Sequence, residues 1–220
     1  MTQVVVFDVN ETLSDMAPLA QRFADVGAPP ALARLWFAAL LRDGFARTAA
    51  GESERFAVLA EGGLRVVLHG AALDRPVDEA VAHVLDGFAA LSCHPDVPAG
   101  VRALRARGLR LVTMSNGAAA VAEKLLGDAG LRGEFEKVLS VEDAGVWKPA
   151  PGSYGYVAEV CDVAAAELLM VAVHPWDLDG AARAGLRTAW VDRTGAPYPA
   201  YCRPPDHVVA SLDLLADALR

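Results

Sequence analysis

Residues 4–15 read VVVFDVNETLSD, and this stretch decides the fold. Val4, Val5, Val6 and Phe7 form an unbroken bulky run that stops abruptly at the carboxylate of Asp8. A run that is apolar at every position has no solvent side. It reads as a strand covered on both faces, as strands of parallel sheets are. Asp8 then marks where the strand leaves the core. Working outward, comparable runs return as GLRLVTMSNG at 108–117, KVLSVEDAG at 137–145, ELLMVAVHPWD at 167–177, LRTAWVDR at 186–193 and PDHVVAS at 205–211. Helical stripes separate them. Val101 and Leu104 mark one over 98–107, and Val121, Leu125 and Leu126 another over 118–129. Tyr154, Val157 and Cys161 mark a third over 151–161, and a short helix over 178–184 is closed by Gly185. This alternation predicts an α/β protein with a Rossmann-like parallel sheet core and right-handed crossovers.

Residues 15–92 break the alternation. They contain no clean β run, and segments such as PALARLWFAALLRDGFARTAAG and PVDEAVAHVLDGFAAL have helical character. The expectation is an inserted all-helical cap subdomain of four or five helices over 15–92, with residues 1–14 and 93–220 forming the α/β core. GAPYPAYCRPPD, 195–206, reads as irregular surface loop.

Composition excludes several classes. The 220 residues carry 28 acidic and 20 basic side chains, a net charge of -8, which is the wrong sign for nucleic acid or an anionic membrane surface. No apolar stretch approaches the ~20 residues that span a bilayer, and the first residues lack the basic flank and apolar region of a signal peptide. Cys93, Cys161 and Cys202 are odd in number and widely spaced, as expected of free thiols in a reducing cytoplasm. There is no CxxC pair and no HExxH, so no metal or other cofactor is expected.

In open α/β sheets, ligands bind beyond the carboxyl ends of the strands. That rule selects Asp8 after the first strand, Ser115 and Asn116 after the second, Lys148 in the loop after the third, and His174 and Asp177 after the fourth. Two carboxylates and a lysine suit a nucleophile, a base and a charge balancer. Taken alone, Asp8 reads equally well as a turn or capping residue.

In order along the chain, FDVNETLSD, TMSNG, VWKPAPGSY and HPWDLDGA resemble the motifs of the haloacid dehalogenase superfamily, and specifically its L-2-haloacid dehalogenase (type II) branch. The resemblance covers the whole chain. It implies that Asp8 is the nucleophile, that Thr12, Ser115, Asn116, Lys148 and Tyr154 stand at motif positions, and that Asp177 is the second active-site carboxylate. It also implies that the helical insertion is the cap such enzymes carry after the first motif. Arg42, in LWFAALLRDG, falls on the arginine that type II members use toward the halide, and reads otherwise as an exposed helix arginine.

Departures choose between branches. Phosphatases of the superfamily place a general-acid aspartate where this chain has Asn10, and an amide has no proton of useful acidity. They place a Mg²⁺ ligand where this chain has Val173, which cannot ligate. Halide leaves carbon without protonation, so dehalogenation needs neither group. The implied reaction is attack of Asp8 on C2 of a short 2-haloacid, then hydrolysis of the aspartyl ester with help from Asp177 to give a 2-hydroxy acid. Lys148 would hold Asp8 ionised. Ser115 and backbone amides near Val9 and Asn10 would bind the substrate carboxylate, with Arg42 and Asn116 toward the halide. The alternatives are a Mg²⁺-dependent phosphatase and a small-acid binder without turnover. Type II members have tyrosine, serine and asparagine where this chain has Asn10, Ala172 and His174. His174 reads either as a residue bonded to Asp177 or a carbonyl at the strand end, or as a relay for the proton of the hydrolytic water. Apolar cap faces, including VVLHGAAL at 66–73, suggest a homodimer.

Overall fold

The computed structural model describes residues 2–219, and these divide into two compact units. One comprises the residues up to Ser14 together with those from Ser92 onward, and the other is Asp15–Leu91.

The first unit is built on a six-stranded sheet of β1 (Val4–Phe7), β2 (Arg110–Ser115), β3 (Lys137–Ser140), β4 (Leu168–Ala172), β5 (Arg187–Val191) and β6 (His207–Val209). The spatial order is β3-β2-β1-β4-β5-β6, and every pairing is parallel. β1 lies between β2 and β4: Val4 is in register with Arg110 and Leu168, and Phe7 with Thr113 and Val171. This central position explains why β1 has no polar face. Valines are favoured there because branched side chains pack well on a pleated, doubly covered surface. Phe7 packs edge-on against Phe135, with ring centroids 5.7 Å apart.

The chain runs outward from β1 to β3 on one side and from β4 to β6 on the other. The strand order therefore reverses between β1 and β4, and a reversal opens a crevice at the carboxyl ends of the two strands. The helices of this unit are α5 (Val97–Ala106), α6 (Ala119–Asp128), α7 (Val141–Ala144), α8 (Pro151–Cys161), α9 (Pro175–Arg183) and α10 (Leu215–Ala218).

Two boundaries differ from the sequence reading. The third strand stops at Ser140, whose Oγ accepts from the Glu142 amide at 3.1 Å and caps the short α7. The helix expected from 178 begins at Pro175, because β4 ends at Ala172 and proline is already set for the first helical turn. Asp177 consequently sits in the first turn of α9 and not on a strand end.

The second unit consists of α1 (Leu19–Ala24), α2 (Leu32–Ala49), α3 (Phe56–Val67) and α4 (Val77–Ala89). Its interior is aromatic. Trp36 is fully buried, lies edge-on to Phe88 with centroids 5.8 Å apart, and donates its indole N–H to the Ala60 carbonyl at 3.0 Å. Gly27 has φ +79, and a Cβ there would lie 2.8 Å from the Ala72 carbonyl oxygen, so that turn requires glycine. Among the described residues, no helix is long and apolar enough to cross a membrane.

Candidate active site

The reversal between β1 and β4 delivers the reactive groups. Asp8 follows β1 directly, its amide bonded to the Val171 carbonyl of β4 at 3.0 Å. The chain then turns tightly, with the Leu13 and Ser14 amides both donating to the carbonyl of the buried Val9. This turn brings Thr12 back over the strand end. Its Oγ1 donates to Asp8 Oδ2 at 2.7 Å and accepts from the Val173 amide at 3.1 Å, so its single proton is directed at Asp8.

Lys148 is fully buried and bridges two carboxylates. Its Nζ lies 2.9 Å from Asp8 Oδ1 and 2.6 Å from Asp177 Oδ2. Asn116 holds it in place: the Lys148 amide donates to Asn116 Oδ1 at 3.0 Å, and Asn116 Nδ2 donates back to the Lys148 carbonyl at 3.3 Å. Tyr154, also fully buried, donates its hydroxyl to Asp177 Oδ1 at 2.6 Å. Gly180 is one turn along α9, and a Cβ there would meet the Tyr154 hydroxyl at 2.7 Å, so the close approach of α8 to α9 depends on this glycine. Ser115 Oγ accepts from the Gly117 amide at 2.9 Å, and the Asn10 amide nitrogen lies beside the same glycine.

The electrostatics follow from burial and pairing. For Asp8, burial favours the neutral acid, but Lys148, His174 and the Thr12 hydrogen bond outweigh it and hold the carboxyl well below the usual range. For Asp177 the balance reverses: burial and the neighbouring negative charge of Asp8 prevail over Lys148 and Tyr154, and its pKa is raised. Burial also opposes the charge on Lys148, yet the two carboxylates prevail and keep it an ammonium. Burial and Asp177 push the Tyr154 phenol far up, so it stays a donor. Two carboxylates with pKa values driven apart in one site is the pattern of a permanent anion beside a proton acceptor.

The His174 ring has side-chain partners that the sequence did not suggest. Its Nδ1 lies 3.1 Å from Asp8 Oδ2 and its Nε2 2.8 Å from Glu11 Oε2; the ring does not reach the Asp177 carboxylate, although the His174 carbonyl accepts from the Asp177 amide at 3.1 Å. The cause is its place immediately before α9, where the ring turns toward the loop after β1 and stacks on Trp176 at 5.1 Å. Burial disfavours its charge, but hydrogen bonds to Asp8 and Glu11 overcome this and raise its pKa to about 9.

Within the core unit, Asp8, Thr12, Lys148, Tyr154, Asp177 and His174 are linked in one network, with Asn116 bonded to the backbone of Lys148. Arg42 belongs to the helical unit, where it is exposed on α2 and paired with Asp43 at 2.8 Å. The sequence reading missed Glu11. Nothing in the sequence singled it out: its placement depends on a backbone φ of +62, a conformation uncommon outside glycine.

A family model for haloacid dehalogenase-like hydrolases matches residues 2–185, and the chain belongs to that family. Among curated relatives, it is similar to haloacetate dehalogenase H-2 of Moraxella sp. (strain B), 28% identical over 97% of this chain and 96% of the relative. It is also similar to the (S)-2-haloacid dehalogenase of Xanthobacter autotrophicus, 30% identical over 88% of this chain and 76% of the relative. Among solved structures, the L-2-haloacid dehalogenase RSc1362 aligns with a TM-score of 0.92 at 31% identity, covering 98% of this chain and 97% of that one. The L-2-haloacid dehalogenase from Xanthobacter autotrophicus with chloropropionic acid covalently bound aligns at 0.89 and 27% identity, covering 100% and 99%.

Proposed function

We propose that this protein is a hydrolytic 2-haloacid dehalogenase that works through an aspartyl ester without a metal. The observation that carries the reading is Lys148, buried between Asp8 and Asp177 at 2.9 and 2.6 Å. An ammonium there supplies the cationic charge that two adjacent carboxylates need. Asp8, kept ionised, displaces halide from C2 of a short 2-haloacid with inversion. Asp177, its pKa raised, takes a proton from the water that hydrolyses the ester, and the product is a 2-hydroxy acid. Ser115 and the amides near Val9 and Asn10 bind the substrate carboxylate. The halide roles of Arg42 and Asn116 rest on the family resemblance; Asn116 keeps one amide N–H beyond the one used on Lys148. Residues 1–14 and 93–220 act as the hydrolytic core and 15–92 as its cap. The phosphatase alternative is disfavoured by Asn10 and Val173.

The partner in this reading is a small haloacid, with no nucleic acid and no membrane. A cytoplasmic homodimer belongs to it too. Cys93, Cys161 and Cys202 are free thiols, and Leu35, Val58, Val66 and Val77 are exposed apolar side chains of the helical unit. Leu68, in the stretch read as a dimer face, is buried.

The test is halide release from chloroacetate and from each enantiomer of 2-chloropropionate, with and without EDTA. Release is expected to be insensitive to EDTA and to fall by ~10⁴-fold or more in Asp8→Asn, the scale of removing a covalent nucleophile. EDTA-sensitive turnover of a phosphomonoester with no halide release would replace this reading by the phosphatase one.

A further inference from the structure

We propose that His174 and Thr12 form the oxyanion hole for hydrolysis of the aspartyl ester, with Glu11 as the residue that positions His174. The proposal rests on the dehalogenase reading and assigns the two oxygens of Asp8 distinct roles.

The assignment comes from lone pairs. A carboxylate oxygen offers two acceptor sites. Oδ2 of Asp8 has both occupied, by the Thr12 hydroxyl at 2.7 Å and by His174 Nδ1 at 3.1 Å. Oδ1 has one occupied, by Lys148 Nζ at 2.9 Å. Oδ1 is therefore the oxygen with an electron pair open toward a substrate carbon. When Oδ1 attacks C2, the C2–halogen bond breaks and the electron pair leaves with the halide. Oδ2 becomes the carbonyl oxygen of the resulting ester, and its two donors stay where they are.

Those donors are well fixed. Thr12 Oγ1 accepts from the Val173 amide, so its proton faces Oδ2. Both nitrogens of His174 face carboxylate oxygens, Asp8 Oδ2 on one side and Glu11 Oε2 at 2.8 Å on the other. A carboxylate only accepts, so each ring nitrogen carries its hydrogen and the ring is an imidazolium. The ring is only 12% exposed and lies on Trp176, which shields the charge from water and offers it a π face. A shielded, oriented cation at the atom where charge develops is the arrangement that stabilises an oxyanion.

The second step then balances. Water attacks Cγ of Asp8 and passes one proton to Asp177, and the Cγ–Oδ2 π pair moves onto Oδ2, facing Thr12 and His174. As the tetrahedral species collapses, Oδ2 returns to a carbonyl and the Cγ–Oδ1 bond breaks. Oδ1 leaves with C2 as the alkoxide of the hydroxy acid and receives the proton held by Asp177. The oxygen from water stays on Asp8 and gives its remaining proton to solvent. Glu11 touches no reacting atom. Its left-handed backbone at φ +62 accompanies a side chain that orients the far nitrogen of His174.

The experiment follows the two steps separately in wild type, His174→Ala and Glu11→Gln with 2-chloropropionate. It uses rapid-quench halide assay, intact-protein mass spectrometry and steady-state kinetics. Loss of one oxyanion donor is expected to slow ester hydrolysis by ~10²-fold. In His174→Ala, one equivalent of halide should appear in a fast first turnover, an ester should accumulate on Asp8, and kcat and KM should fall together. Because kcat/KM reports the displacement step, it should stay within a few-fold of wild type. Glu11→Gln should shift the same quantities in the same direction by less, and it provides the readout if His174→Ala does not fold. Equal loss of the halide burst and of turnover, with no ester accumulating in either variant while the wild type turns over, would overturn the proposal. A wild type that neither releases halide nor acquires an adduct would instead remove the dehalogenase reading on which it rests.

Discussion

The two units of the molecule bury different things. Among the described residues, every buried polar or charged side chain, from Asp8 and Thr12 through Lys148 to Asp177, lies in the α/β unit. The helical unit buries none; its interior is Phe23, Trp36, Phe37, Phe56 and Phe88 among aliphatic residues. A buried charge must be compensated by named partners at short range, whereas an aromatic interior is stabilised by area and shape. One unit therefore carries its chemistry in specific pairs, and the other carries stability in generic packing. Single substitutions should separate the two.

The largest effect is expected from Lys148→Met. The substitution nearly keeps the volume but leaves Asp177 without its cation and Asp8 with only His174. Breaking one side of a buried ion pair typically costs about 3–5 kcal/mol. Chemical denaturation at neutral pH should show a loss of this size, with halide release abolished. The sign with pH is fixed by the chemistry: the loss should shrink as acid protonates the orphaned carboxylates. A loss of stability unchanged between neutral and acid pH would mean that Lys148 matters as packing, and the contrast between the units would fail.

Trp36→Ala addresses the other unit. It deletes a fully buried ring that contacts Phe23, Phe37 and Phe88, and it frees the Ala60 carbonyl from its indole partner. Removing a buried tryptophan costs about 3–5 kcal/mol, toward the lower end where neighbours can collapse into the space. Hydrogen exchange should rise through α1 to α4 while β1, β2 and β4 keep their protection. The loss should not depend on acid pH, because no titrating group is exposed by it. Equal loosening of the central strands would show that the two units unfold as one.

The same contrast explains what could be read before the structure. The central strand was legible because a doubly covered strand must be apolar throughout, and the rule of strand carboxyl ends then selected Asp8, Ser115, Asn116, Lys148, His174 and Asp177 from the chain alone. The partner of His174 was not legible. It depends on Glu11 adopting φ +62, and hydrophobic periodicity contains no record of backbone handedness. The start of α9 was misplaced for a related reason. The apolar run of β4 ends at Ala172, but His174, Pro175 and Trp176 carry no alternation that distinguishes a strand end from a first helical turn. Pairing specificity among buried polar groups is a property of three-dimensional direction, and direction is what a linear pattern lacks.

The smallest effect sharpens the account of the charged unit. Tyr154→Phe removes one hydroxyl, which donates to Asp177 Oδ1 at 2.6 Å. A hydrogen bond to a charged acceptor contributes about 1.5–3 kcal/mol, and the lower figure applies because Asp177 keeps Lys148. The consequence for pH is more diagnostic than the stability loss. The Tyr154 bond favours ionised Asp177, against burial, which favours the neutral acid. Without it the Asp177 pKa moves further up, and in the proposed role, which needs the carboxyl ionised to accept a proton, Asp177 is then competent only at higher pH. The acid limb of turnover should therefore move to higher pH in Tyr154→Phe, with little change on the plateau above it. Linkage gives the matching sign for stability. The cost of the substitution should be greatest where Asp177 is ionised in both proteins, and should decline as pH falls through the two folded pKa values, the variant's first, because the unfolded value is common to both and cancels. An acid limb that stays in place would show that Tyr154 only fills space, and that the proton acceptor is tuned by Lys148, Asp8 and burial alone.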